Sequence, residues 1–205
     1  MKVLMLNGSA RKNGNTYAAL SEIAKVLDGY GIESEIFEIT EPVRDCIGCK
    51  GCTGDGCRFP DNNVNEFIKK AREADGFVFG TPVYYAHPSG RILSFLDRAF
   101  YSGGKAFSFK PAAAVACARR GGTTASFDVM NKYFGISNMI TVGSTYWNII
   151  HGAAPGEAVS DGEGVQTMRN IAHNMAWILN CIETAKKNGI PYPELETGSR
   201  TNFIR

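Results

Sequence analysis

The chain has 205 residues, 44% of them hydrophobic and 20% charged, which is enough to bury a substantial core within one domain. Its formal net charge is only +2 and its basic residues form no long run, which argues against sequence-independent binding to nucleic acid or to an anionic membrane. We therefore expect small molecules and copies of the same chain as its partners.

The first residues contain one short apolar run. Val3 to Leu6 is followed at once by Asn7 and Gly8, so the run is too short for the core of a signal peptide or for a membrane span. This predicts a cytoplasmic protein. Thiols are kept reduced in the cytoplasm, so closely spaced cysteines there are more often metal ligands or redox groups than structural disulfides.

Strand and helix patterns alternate along the chain. Residues 2–6 have the pattern of a buried strand, and a Gly/Ser/Asn turn separates them from a helical pattern at 16–27. Further strands are predicted at 33–39, 76–85, 112–118 and 139–147, and further helices at 63–73, at 90–100, from the turn after 118 to about 134, and at 163–188.

This alternation predicts a parallel sheet covered by helices on both faces. Five strands in this order indicate an α/β domain of the flavodoxin-like, doubly wound kind, with three α/β/α layers. We expect one domain over 1–205, with a cysteine-rich loop at 45–58 and a tail after about 188. Ligands of such domains bind outside the carboxyl ends of the strands.

The first of these strand ends carries the segment NGSARKNGNT, residues 7–16. It lacks both the ending of a Walker loop and the three glycines of a dinucleotide fold. Its hydroxyls and backbone donors instead suit a phosphate monoester at the start of the following helix. An ordinary turn with a helix cap is the alternative interpretation of this segment taken alone.

Two further strand ends strengthen the phosphate interpretation. Together with GTPVYYAHPSGRILSFLDR after the third strand and ARRGGTT after the fourth, the first segment resembles the FMN-contacting loops of flavodoxin-like NAD(P)H-dependent FMN reductases. The resemblance extends from residue 1 to about 185. Within that family the iron–sulfur flavoprotein branch is the most similar, because it carries a compact four-cysteine motif between strand 2 and helix 2.

The resemblance implies a set of FMN-binding residues. The phosphate is expected on Ser9, Arg11, Asn15 and Thr16, the isoalloxazine ring against Thr81, Pro82, Val83 and Tyr84, and the far side of the ring against Arg119, Gly121 and Gly122. A flat, partly apolar ring system needs an apolar wall and backbone donors, and a Thr-Pro-Val-Tyr turn can supply both. Surface aromatics and a solvated arginine pair are the alternative for each segment taken singly.

The segment CIGCKGCTGDGC places four cysteines at spacings of two, two and four residues. Such spacing lets thiolates converge on one centre, and bacterial ferredoxin motifs begin in the same way. With the resemblance, it predicts a [4Fe–4S] cluster on Cys46, Cys49, Cys52 and Cys57. A four-cysteine zinc site, a disulfide and metal-free thiols remain open. Cys117 and Cys181 are expected to be small core residues.

The function predicted from these features is FMN-dependent electron transfer. Electrons would come from NAD(P)H or a ferredoxin-like donor and pass to a flavin, a quinone or an iron–sulfur acceptor. A non-enzymatic electron carrier or redox sensor, and a zinc-stapled interaction module, are the alternatives. No histidine is assigned a catalytic role. The family typically completes its flavin site with a neighbouring subunit, so a homodimer or homotetramer is expected, with an apolar patch containing Tyr146, Trp147 and Ile149.

Overall fold

A computed structural model describes residues 1–60, 63–199, 201 and 203. Its strands are β1 (Lys2–Asn7), β2 (Glu33–Glu38), β3 (Gly76–Tyr84), β4 (His87–Pro88), β5 (Pro111–Ala118), β6 (Ile140–Thr141) and β7 (Ile149–His151). Its α-helices are α1 (Asn15–Gly29), α2 (Val64–Glu73), α3 (Gly90–Gly103), α4 (Thr123–Ile136) and α5 (Gly162–Lys187), with 3₁₀ turns at Gly104–Ala106 and Glu157–Ser160.

The main sheet is parallel, with the strand order β2-β1-β3-β5-β6. Strand β1 lies between β2 and β3, and its apolar residues from Val3 to Leu6 are fully buried because helices cover both faces of the sheet. The short β4 folds back antiparallel onto the end of β3. The prediction of a flavodoxin-like, three-layer α/β/α fold is confirmed.

Two separate hydrophobic clusters fill the two sides of the sheet. One joins the sheet to α2, α3 and α4 and is rich in phenylalanine, with Phe67 in edge contact with both Phe37 and Phe95. The other joins the sheet to α1 and α5 through aliphatic and methionine side chains. Helices thus cover both faces of the sheet, so its edges and strand ends are the parts that can carry a binding site.

The predicted fifth strand at 139–147 is wrong in extent. Only Ile140 and Thr141 lie in a strand there, and the chain returns to pair with β5 at Ile149–His151. The buried Asn148 bridges the interruption, because its side-chain amide donates to the carbonyl of Val142 at 3.1 Å while its own carbonyl accepts from Ala116 N at 3.0 Å. The alternation of apolar residues could not predict this interruption, because it does not show where a side-chain hydrogen bond, here from Asn148, takes the place of strand pairing.

Candidate functional site

A cavity of about 250 Å³ lies where the carboxyl ends of β1, β3 and β5 meet. Eight of the predicted FMN-binding residues line it: Ser9, Arg11, Asn15, Thr16, Pro82, Val83, Tyr84 and Arg119. These residues come from three separate loops, so the fold brings together side chains that lie up to 110 positions apart in the chain (119 minus 9).

Three predicted residues are placed beside the cavity and do not line it. Thr81 is fully buried, and its hydroxyl accepts from Ser89 N at 3.3 Å while donating to the Pro82 carbonyl at 2.9 Å. Gly122 begins α4 with a φ of +91°, and a Cβ there would lie 2.7 Å from Val83 Cγ1. Gly121 is exposed, with open space around its Cα. Their part in FMN binding stays a prediction.

The first loop is held in a fixed turn by its own polar groups. Asn7 accepts from Ser9 N at 3.1 Å, and the Ser9 hydroxyl accepts from Arg11 N at 3.0 Å. Since that oxygen is already an acceptor inside the turn, its hydrogen is left to be donated toward the cavity. A Cβ on Gly8 would lie 2.8 Å from the carbonyl oxygen of Gly80, so only glycine permits this contact between the loop and β3.

Helix α1 starts at the cavity without a side-chain cap. Its N-cap is Gly14, and no side chain accepts from the N–H groups of its first turn. Unpaired N–H groups and the helix dipole favour an anion at such a position. Asn15 connects this end to the 3₁₀ turn Glu157–Ser160, because its Oδ1 accepts from Ala158 N at 3.1 Å. The helix start, the Ser9 hydroxyl and the exposed Arg11 together suit a phosphate.

Glu38 lies beneath the first loop, at the end of β2. Both of its carboxylate oxygens accept hydrogen bonds from Asn7 Nδ2, at 3.1 and 3.0 Å. Burial raises the pKa of Glu38, although the bond from Asn7 and the positive charges of Lys12 and Arg91 act in the opposite direction. Glu38 thus orients Asn7, which in turn orients the turn at Ser9.

The four cysteines of the predicted metal motif surround one small cavity of about 20 Å³. Burial raises the pKa of the Cys52 thiol, and the neighbouring charges of Cys57, Cys46 and Cys49 raise it further. Among the described residues, no three histidine, cysteine, aspartate or glutamate side chains are placed to hold a single metal ion.

The chemistry of this donor set fits an iron–sulfur cluster. Four thiols are the ligands that such a cluster takes, and Ile47 and Phe59 give the cavity apolar walls while Lys50 and Arg98 supply positive charge near an anionic group. The space does not yet fit, because about 20 Å³ accommodates only one water-sized sphere.

The cysteine loop follows β2, which ends at the same sheet edge as the flavin loops. From there the loop packs along α2 and α3: Asn65 accepts from Cys57 N at 2.8 Å, and Arg72 donates to the Asp55 carbonyl at 2.8 Å. Arg98, which contacts Cys57, lies eight positions after Gly90, about 12 Å along α3 at 1.5 Å per residue.

The flavin-side cavity and the cysteine cavity share no lining residue. The spacing of the cysteines could not indicate this, because the direction of the loop is set by polar contacts to two helices. The remaining cysteines also differ from one another. Cys117 is buried and lines the flavin-side cavity, whereas Cys181 is exposed, so the prediction that Cys181 is a core residue is wrong.

The histidines have local partners. His151 Nδ1 lies 3.2 Å from the Ala118 carbonyl, His173 Nδ1 lies 2.8 Å from the Tyr30 hydroxyl, and His87 Nδ1 lies 3.3 Å from the Pro88 carbonyl. Two of these partners are backbone carbonyls and the third is a surface tyrosine, so the contacts give the histidines local structural roles.

Sequence reasoning missed five residues of the flavin-side cavity: Gly14, Cys117, Ala118, Gly152 and Ala153. The last two follow β7, so the rule that ligands lie beyond strand ends would have found them if the last strand had been placed correctly. Gly152 also contacts the first helix, since a Cβ there would lie 2.7 Å from Asn15 Nδ2.

The apolar patch expected beyond the fifth strand is in part exposed. Tyr146 and Trp147 are 58% and 53% exposed, and Ile149 is half-buried. Trp147 contacts Phe127 of α4 with ring centroids 5.8 Å apart.

Among the described residues, no helix is both long enough and apolar enough to cross a bilayer.

Comparison with known proteins points in the same direction as the geometry. The family model described as NADPH-dependent FMN reductase matches residues 1–154. An iron–sulfur flavoprotein of Methanocaldococcus jannaschii is 32% identical over 196 residues, covering 89% of this chain and 100% of the relative. An iron–sulfur flavoprotein of Methanosarcina thermophila is 27% identical over 188 residues, covering 89% and 97%.

Solved structures agree on the fold. The structure of a flavodoxin from the domain Archaea superposes with a TM-score of 0.61 at 12% identity, covering 88% of this chain and 99% of the flavodoxin. At this level of identity the likeness concerns the fold alone.

Proposed function

The chain belongs to the family of NADPH-dependent FMN reductases, and we propose that it passes electrons through FMN between NAD(P)H or a ferredoxin-like donor and a flavin, quinone or iron–sulfur acceptor. As a member of this family it is an FMN-dependent oxidoreductase of the NAD(P)H-dependent reductase type. The donor and the acceptor are the proposed part.

One observation carries the proposal. Loops from the ends of β1, β3 and β5 converge on a single cavity that also receives the uncapped start of α1. This convergence supports an anion site beside a partly apolar wall, which is the combination that a flat cofactor with a phosphate tail requires. The cavity lies at the sheet edge where doubly wound folds bind their ligands.

Different residues of the cavity would bind different parts of the cofactor. The Ser9 hydroxyl, Arg11 and the N–H groups of the first turn of α1 would bind the phosphate. Pro82 and Val83 would give the ring an apolar wall, and Arg119 would add positive charge at the far side. FMN, when bound, accepts a hydride and releases its electrons singly or in pairs. The chain's part is to orient the ring and to limit access of water.

The four cysteines would hold a [4Fe–4S] cluster. This is supported by the set of four thiols around one cavity and by the names of the relatives that cover most of the chain. A cluster exchanges one electron at a time, which complements a cofactor that takes up two.

We also propose that the protein works as a homodimer or homotetramer. The flavin-side cavity of about 250 Å³ is smaller than the roughly 300–1,000 Å³ that usually buries a ligand. A single chain would thus leave part of the flavin ring uncovered. The exposed Tyr146 and Trp147 supply apolar surface near β7 that a second copy would cover.

Anaerobic spectroscopy of the purified full-length chain tests the reductase function. Flavin absorbance should bleach when NADPH or NADH is added and recover when a quinone or free flavin follows. Bleaching by a reduced ferredoxin and by neither nucleotide would support the carrier instead. Zinc at one equivalent with no bound flavin would contradict both.

A further inference from the structure

Arg98 is a buried cation in the middle of α3, with 2% of its surface exposed. Burying a charge costs free energy unless hydrogen-bond partners surround it, so the contacts of Arg98 indicate its structural role. Its Nε donates to Cys57 Sγ at 3.3 Å, its Nη1 to the Arg44 carbonyl at 3.4 Å, and its Nη2 to the Phe59 carbonyl at 3.1 Å.

These three contacts enclose the cysteine motif. Arg44 precedes the first cysteine of the motif, and Phe59 follows the last. One guanidinium thus joins the two ends of the loop to each other and to α3. The rigid fork of arginine suits this task, since it can donate in several fixed directions at once.

Cys57 is held from a second side by α2. Asn65 Oδ1 accepts from Cys57 N at 2.8 Å, and Asn65 Nδ2 donates to the Cys57 carbonyl at 3.0 Å. Gly56 makes this approach possible, because a Cβ there would lie 2.9 Å from Asn65 Oδ1. The backbone of Cys57 is therefore fixed by Asn65, while its sulfur is contacted by Arg98.

We infer that Arg98 is a positioning residue of the cysteine loop: it closes the loop around the four thiols and holds a positive charge against the sulfur of Cys57. The inference rests on the proposed function for its second half, in which the thiols hold a cluster. Such a cluster becomes more negative when it is reduced, so a nearby cation and an N–H···S bond favour the reduced form. Arg98 would therefore raise the reduction potential of the cluster held by the four thiols.

Amide hydrogen exchange in the FMN-loaded, cluster-free chain tests the closure of the loop. In Arg98→Gln, the amides of residues 46–57 that are protected in the wild type should exchange about tenfold faster, as expected for the loss of hydrogen bonds worth about 1.4 kcal/mol. Arg72→Gln is the matched control. Arg72 also donates to the loop, at Asp55, but it is largely exposed, and such contacts contribute little.

Equal rates of amide exchange in Arg98→Gln and Arg72→Gln would contradict the inference that Arg98 closes the loop. Unchanged FMN stoichiometry and unchanged exchange in β1 and β3 would show that the variants are folded. If Arg98→Gln does not fold, Arg98→Lys is the variant to test. Lysine keeps the positive charge but lacks the forked donors of the guanidinium, so it should still loosen the loop. Exchange as slow as in the wild type in Arg98→Lys would then overturn the closure.

The reduction potential of the reconstituted cluster tests the role of the charge. The potential should be highest in the wild type, lower in Arg98→Lys and lowest in Arg98→Gln, as followed by EPR-monitored titration. Equal potentials in the three proteins would overturn this role. If the wild type itself binds no iron after reconstitution, the proposed cluster and the charge effect both fail, whereas the exchange experiment still decides whether Arg98 closes the loop.

Discussion

The side-chain amide of Asn7 donates hydrogen bonds to both carboxylate oxygens of Glu38, at 3.1 and 3.0 Å. The two residues are register partners at the ends of β1 and β2. Because Asn7 also accepts from Ser9 N, this pair fixes the turn that begins the flavin-side cavity. A carboxylate that lies outside the cavity lining thus helps to set the geometry of the anion site.

Glu38→Gln should remove a pH dependence of stability. Burial raises the pKa of Glu38 above its ordinary value of 4.5, so between that value and the raised pKa the folded state binds more protons than the unfolded state. Stability of the wild type therefore falls as pH rises through this window. The glutamine variant should gain relative stability there, by no more than about 1 kcal/mol because the side chain is only partly buried. Urea unfolding at several pH values measures the difference.

Glu41→Gln is the control for this prediction, since Glu41 is an exposed carboxylate three residues further along. It should leave the pH dependence as in the wild type. If the two variants follow the same pH profile, burial of Glu38 has no effect on folding.

Two adjacent glycines should respond differently to alanine. Gly122 has a φ of +91° and no room for a Cβ beside Val83, so Gly122→Ala should destabilise the fold by about 1–3 kcal/mol and weaken FMN binding. Gly121 has open space and no positive φ, so Gly121→Ala should leave the stability of the fold unchanged. Thermal unfolding and FMN titration measure both effects, and similar losses in the two variants would contradict the placement of the third loop.

The parts of the site that follow from the order of the chain could be predicted, and the parts that depend on packing could not. Ser9 and Arg119 follow strands and Pro82 lies near the end of one, and parallel strands place their carboxyl ends together. The contact of Asn7 with Glu38 depends on the register of two strands, which no short motif encodes. The path of the cysteine loop along α2 and α3 likewise depends on hydrogen bonds with Asn65 and Arg98, which the cysteine spacing does not encode.

Cys49→Ala should abolish cluster binding and leave FMN binding intact, because the two cavities are lined by different residues. The anaerobically reconstituted wild type should carry roughly four iron and four sulfide per chain. Cys181→Ala is the control, since Cys181 is an exposed cysteine outside the motif. Full iron content in Cys49→Ala, or zinc in the wild type, would contradict the cluster.

Trp147→Glu should shift the protein toward the monomer. Trp147 is 53% exposed near β7, and a charge placed within an apolar interface is costly. Trp177, 70% exposed on α5, lies outside the proposed patch, so Trp177→Glu should keep the oligomeric state of the wild type. Sedimentation velocity at micromolar concentration compares them. A wild type that is monomeric with flavin bound would exclude the assembly.

FMN titration of the Ser9→Ala/Arg11→Ala double variant tests most directly whether the first loop holds the cofactor. The wild type should bind one FMN per chain, and the double variant should lose roughly 2–4 kcal/mol of binding free energy, since one neutral and one charge-assisted hydrogen bond to the phosphate are removed. That loss corresponds to an increase of about 30-fold to 1,000-fold in Kd. Lys132→Ala, an exposed lysine on α4, should keep the wild-type Kd. Equal FMN affinity in the wild type and the double variant would contradict the site.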